Sequence, residues 1–238
     1  MADYFAEFSS FLSHEKGLSN ASVAAYVTDI TGVKNFFSQA ITKLSFEDLL
    51  SYFSYLKKNF STATVARKIV TIKIFFQFLE EEGWITASPL TLLQSFKQPK
   101  KIPVILSLAE MQAFLQAPDV VTVCGARDKA IFELLYAAGL RVSECCQLQI
   151  KDLHEGFIRV WGKGKNQRLV PVGLKAIQAL DQYLALREDN KPWVFVTDKL
   201  LPISRFTIYR RVQYYAKKLQ LPKNIRPRTF SKCFAKHR

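Results

Sequence analysis

Through the first third of the chain apolar residues recur every three or four positions, the period of helices with one buried face. After the stretch GLSN, Ser19 or Asn20 can cap a helix whose apolar positions are Val23, Tyr26, Ile30, Val33 and Phe37. Ser45 and Asp48 have capping-box spacing ahead of Leu49, Tyr52, Phe53 and Leu56. A further helix is expected from Ser61 or Thr62 to Gly83. One of its faces is Val65, Ile69, Ile72, Phe76 and Leu79, and the opposite face holds Val70, Ile74 and Phe78. A helix apolar nearly all round belongs in the middle of a bundle. The first hundred residues therefore read as four helices. Pro89, Pro99 and Pro103 then interrupt the pattern, since proline lacks the N–H that a helix interior needs. Residues 1–88 are expected to form a helical domain, 89–106 a basic linker, and 107–238 a second domain.

The second domain opens with another capping box, Ser107 and Glu110. The stretch ARDKAIFELLYAAG predicts a strong helix closed by Gly139, and LRVSECCQLQIKDL a short one capped by Ser143. FIRVWGKGKNQRLVPV changes period, with two alternating runs around a glycine-rich turn, and reads as a β-hairpin. LKAIQALDQYLALRE, SRFTIYRRVQYYAKKL and the segment beginning TFSKCFAKHR return to the helical period. The expected fold is mainly α with a small β-hairpin.

Composition confirms that a core can form, with 49% hydrophobic residues and 19 Phe in 238 positions. No run of eighteen apolar residues occurs, and the first residues carry acids where an export signal carries basic ones, so a cytoplasmic, non-membrane protein is expected. Cys124, Cys145, Cys146 and Cys233 include no C-x-x-C spacing, so neither a disulfide framework nor a metal site is expected, and they read as small buried hydrophobes.

Charge adds more. The formal net charge is +14, and residues 199–238 hold 12 Lys or Arg with no Asp or Glu. A long stretch of one sign points to a polyanionic partner, of which nucleic acid is the commonest. Arg205, Arg210, Arg211, Arg226 and Arg228 are the candidate phosphate contacts within it. Arg226 and Arg228 flank Pro227 ahead of a predicted helix, where arginines and free amides make either a defined anion site or a nonspecific phosphate contact. Upstream, Arg67, Lys68 and Lys73 either reach a phosphate backbone or form a solvated helix end. Lys100 and Lys101 lie in the proline-stiffened linker, where they either lie along a phosphate backbone or belong to an ordinary basic linker. Arg141 follows a helix-ending glycine; its planar fork suits a phosphate bidentately, or it pairs with Glu144 three residues on. Lys163 and Lys165 alternate with Gly162 and Gly164 at the hairpin tip, where a lysine can act as general acid toward a phosphate oxygen or simply be exposed.

Taken in order, AAGLRVSE, IRVWGKGKNQRLVPV and RPRTFSKCFAKH resemble the tyrosine recombinase family, most closely its Xer group. FLSHEKGLSNASVAAYVTDI and TVARKIVTIKIFFQFLEEEGWITASPL resemble that group's helical, SAM-like core-binding domain, so the likeness spans essentially the whole chain. It implies a core-binding domain followed by an α+β catalytic domain, acting on double-stranded DNA without metal or nucleotide cofactor, in homo- or hetero-oligomers with a related recombinase. In that family a tyrosine attacks the scissile phosphodiester while two arginines and a histidine or lysine stabilise the charge on phosphorus. The resemblance places the first catalytic arginine on Arg141, its positioning acid on Glu144 and the general-acid lysine on Lys163. The family's H-x-x-R pattern falls on Arg228, Thr229, Phe230 and Ser231, so arginine replaces the histidine and serine the second arginine; His237 matches a structural histidine. The family's nucleophile lies beyond a position equivalent to Arg238, and Tyr209, Tyr214 and Tyr215 precede the arginine motif. A recombination protein lacking its last helices and unable to cleave DNA is therefore expected, or a DNA-binding protein that occupies recombination sites or modulates an intact relative.

Overall fold

The chain divides into two units, Met1–Lys100 and Lys101–Arg238. The computed structural model describes residues 4–91, 93, 104–162, 166–221 and 224–237. None of its described helices is long and apolar enough to cross a membrane.

The first unit contains α1 (Tyr4–His14), α2 (Asn20–Phe36), α3 (Phe46–Asn59) and α4 (Thr62–Glu81), the four helices expected from periodicity. Capping follows the sequence closely. Ser19 and Ser61 each accept a backbone N–H from the first turn of α2 and α4, and Ser45 with Asp48 completes a capping box on α3. Helix α4 packs against α1, α2 and α3. It buries Val65, Ile69, Ile72, Phe75, Phe76, Phe78 and Leu79, each side chain worth roughly 1.5–3 kcal/mol on leaving water. Its expected all-round burial does not hold at Val70, which is 50% exposed because α4 leaves one narrow stripe to solvent.

In the second unit α5 (Leu108–Gln116), α6 (Val123–Ala137), α7 (Val142–Gln147), α8 (Leu174–Ala185), α9 (Arg205–Lys218) and α10 (Pro227–His237) accompany an antiparallel sheet of β1 (Leu153–His154), β2 (Phe157–Trp161) and β3 (Gln167–Pro171). The hairpin is the one expected, with Ile158 opposite Val170 and Val160 opposite Arg168. Strand β1 escaped detection because two residues are too few to show alternation. Helix α6 is central and packs on α5, α7, α8 and α10. It starts earlier than expected, at Val123, because the Thr122 side chain caps the Gly125 amide. The cap of α7 also differs from the expected Ser143: Arg141 is the cap residue, and the Glu144 carboxylate accepts its backbone N–H at 2.7 Å.

Cys145 and Cys233 are buried, as expected of small hydrophobes, but Cys124 and Cys146 are only partly so. Cys124 sits in the first turn of α6 with its Sγ 3.1 Å from Asp198 Oδ1.

Candidate functional site

Gly139 ends α6 with φ +60°, a left-handed conformation that glycine adopts without strain. A Cβ there would lie 2.9 Å from the Phe234 ring of α10, so the absent side chain also lets α10 close on this turn. Two residues on comes Arg141, whose side chain is 70% exposed. Its Nη1 donates to Glu144 Oε1 at 2.9 Å while its backbone N–H donates to Oε2 at 2.7 Å. Of the two readings of Arg141, the structure shows the pairing with Glu144, which ties the guanidinium at one nitrogen and leaves Nη2 and Nε without a partner among the described residues.

Glu144 is almost wholly buried, its side chain 3% exposed. Arg168 on β3 grips it from the other side, Nη1 to Oε1 at 2.7 Å and Nη2 to Oε2 at 2.9 Å. Burial alone would push the Glu144 carboxyl up, but hydrogen bonds from Arg168 and Arg141 outweigh it and hold the group below its ordinary value. Arg168 was not among the residues expected at the site. Its signal was available in the strand alternation, since Arg168 shares a face of β3 with the buried Val170, and an inward arginine needs a buried acid.

The tail joins the same place. Ser231 on α10 donates from Oγ to the carbonyl of Leu140 at 3.1 Å, so the position matching the family's second arginine lies against the residue before Arg141. It brings a neutral hydroxyl there, with no charge and little reach. Arg228 is exposed, as is Arg226, whose backbone N–H donates to Thr229 Oγ1 at 3.1 Å as α10 begins. His237 is engaged at both nitrogens, Nδ1 3.0 Å from Tyr136 Oη and Nε2 3.1 Å from the Leu106 carbonyl. Because a carbonyl only accepts, Nε2 carries the proton and Nδ1 accepts from the tyrosine. His237 thus pins α10 to α6 and to the segment before α5, which is a structural role.

Helix α9 supplies the rest of the basic surface. Ser204 caps it, and its buried side is Ile208, Val212, Tyr215 and Ala216. Arg205, Phe206, Tyr209, Arg210, Tyr214, Lys217 and Lys218 are exposed, and the Arg210 guanidinium stands 6.0 Å over the Phe206 ring. Arg205 is close enough to α7 to oppose the rise of the Cys146 thiol, which burial pushes up to about 11. Arg205, Arg210, Arg226 and Arg228 have no carboxylate partner among the described residues.

Other expected contacts are spoken for. Arg211 donates to the buried Asp128 and to Tyr215 Oη, fastening α9 to α6. Lys68 Nζ donates to the buried Asp29 at 2.9 Å, Arg67 donates to the same carboxylate, and Lys73 Nζ donates to the Leu93 carbonyl at 2.7 Å. Each of these four cations has a hydrogen-bond partner inside its own unit. Lys100, Lys101, Lys163 and Lys165 lie outside the described residues.

The sequence model of the phage integrase family matches residues 105–237, and that of the phage integrase N-terminal SAM-like domain matches residues 5–83. Tyrosine recombinase XerC of Thermodesulfovibrio yellowstonii is 35% identical over 98% of this chain and 82% of its own length. The chain belongs to the phage integrase family. Tyrosine recombinase XerD of Staphylococcus saprophyticus, also similar, is 34% identical over 97% of the chain and 83% of its own length. The fold is similar to that of the lambda integrase chain in a solved structure of a lambda integrase tetramer bound to a Holliday junction, with a TM-score of 0.81 over 98% of this chain and 71% of that one, at 16% identity. Within this phage integrase chain, the GLRVSE motif, the β3 strand and the α10 motif converge on one carboxylate and the turn before it.

Proposed function

We propose that this phage integrase family member acts in site-specific DNA recombination of the Xer type, binding duplex DNA and serving chromosome dimer resolution in an oligomer with itself or a related recombinase. The observation that carries the reading is Arg141, exposed and held by a buried carboxylate beside basic helices that carry no acid. An arginine held in this way is a preorganised phosphate receptor. The partners follow from the charge of α9 and α10 and from the relatives, which are named tyrosine recombinases, while the lambda integrase in the solved structure is a tetramer on a Holliday junction.

Ser231 favours a narrower version, a protein that occupies recombination sites without cutting them. The phosphorane-like transition state spreads charge over several oxygens, and a preorganised donor removed from such a site costs about 10²–10³ in rate. Ser231 gives its hydroxyl to Leu140 and offers no cation in place of the second arginine. Incubation with a nicked duplex that traps covalent intermediates separates the versions. The expected result is a gel shift at low salt that weakens steeply as salt rises, with no adduct surviving denaturant. An adduct that survives denaturant overturns the non-cutting version, and salt-independent binding overturns the phosphate contacts.

A further inference from the structure

A buried carboxylate paired with one arginine makes a neutral unit, and a neutral unit is a poor receptor for a phosphodiester. Around Glu144 there are two arginines, so the cluster of Arg141, Glu144 and Arg168 keeps one net positive charge. The two partners share the carboxylate unequally. Arg168 spends both terminal nitrogens on it, one on each oxygen, whereas Arg141 spends Nη1 alone. Nη2 and Nε of Arg141 have no partner among the described residues, and that side chain is 70% exposed against 42% for Arg168. The pairing of Val160 with Arg168 fixes the latter along β3, so the fork is delivered to Glu144 by strand register rather than by a loose loop.

We propose that Arg168 is a positioning residue for phosphate binding: through Glu144 it supplies the neutralising charge and the second anchor that leave the Arg141 guanidinium both fixed and net positive. In this proposal Arg168 does not itself meet the phosphate: one N–H on each of its terminal nitrogens is spent on Glu144, and its role is exerted through that carboxylate. The proposal rests on the reading of Arg141 as a phosphate contact given above. It adds a residue that is distant in sequence from the arginine it serves and lies on a different element.

The test is a double-mutant cycle on the full chain, reading affinity for a short duplex of mixed sequence across a salt series. Arg141→Gln is expected to weaken binding about tenfold at low salt and to lower the salt slope by about one. Arg168→Gln is expected to give most of that loss in the natural background and almost none when Arg141→Gln is already present. If the two losses instead add in full, Arg168 either touches DNA itself or supports the fold, and the proposal is overturned while the reading of Arg141 stands. If Arg141→Gln leaves affinity and slope unchanged, the reading of Arg141 falls and the proposal falls with it. Should Arg168→Gln fail to fold, Arg168→Lys runs the same cycle, keeping the charge while losing the two-point grip. It is then expected to show an intermediate loss that again vanishes in the Arg141→Gln background, and an equal loss in both backgrounds counts against the proposal.

Discussion

Two buried carboxylates, Asp29 in the first unit and Glu144 in the second, each take two cations, and the two clusters have opposite outcomes. In the first unit Asp29, on α2, takes Arg67 and Lys68 from α4 together with the Thr71 hydroxyl, and the Lys68 side chain is only 11% exposed. In the second, Glu144 takes Arg141 and Arg168, and Arg141 stands out in solvent. The chemistry is the same and the charge balance is the same. What differs is the backbone beneath the cation. Lys68 projects from mid-helix into an aromatic neighbour, Phe60, and so becomes part of the packing. Arg141 sits at a helix start after a left-handed glycine, where the chain turns away and leaves the guanidinium uncovered. A carboxylate can therefore consume a cation or display it, and local backbone geometry decides which.

Removing the carboxylate should break this comparison most sharply in the first unit. Asp29→Asn leaves Lys68 as a buried cation without its counter-charge, a change that costs about 3–5 kcal/mol. Urea unfolding of that unit checks it, and a cost below about 1 kcal/mol would show that Lys68 escapes to water and that the two clusters are alike after all. Duplex binding by whatever fraction remains folded should keep its salt slope, because Arg67 and Lys68 are assigned to the fold.

The contrast also explains how far the sequence could be read. Helix spans, the capping residues Ser19, Ser45, Ser61 and Ser107, and the hairpin were legible because they depend on residues close together in the chain. The GLRVSE motif marked Arg141 and Glu144 for the same reason, being three residues apart. The fates of Arg67 and Lys68 were not legible, since their partner lies 38 and 39 positions away and only the packing of α2 on α4 brings it near. Arg211 and Asp128 are separated by 83 positions, and Arg168 and Glu144 by 24. A count of charge along the chain locates a basic region correctly but cannot subtract the cations that tertiary structure has already used.

A smaller effect is expected at the cations that remain. Arg226→Gln combined with Arg228→Gln should lower the salt slope of duplex binding by about two, one for each phosphate that is no longer neutralised. Stability should move by no more than about 0.5 kcal/mol, because both side chains are exposed and α10 is held by Phe230, Cys233 and His237 instead. An unchanged slope would put these arginines among the structural cations and dissolve the distinction between the units.

The smallest effect sharpens the comparison on the side of Glu144. Its carboxyl titrates below its ordinary value of 4.5 in the folded chain, so the folded state binds this proton less readily than the unfolded one. Its contribution to stability is therefore fully present above 4.5 and is lost as pH falls through the lower folded value. Glu144→Gln should remove that part of the acid limb and leave a flatter profile there, measured by urea unfolding as pH is lowered. The same substitution should weaken duplex binding at neutral pH even though it deletes a negative charge, because Arg141 loses the carboxylate that orients it. Simple electrostatics predicts the opposite sign, tighter binding after an acid is removed near a basic surface. The direction of that one change therefore separates a displayed, oriented arginine from a merely basic patch.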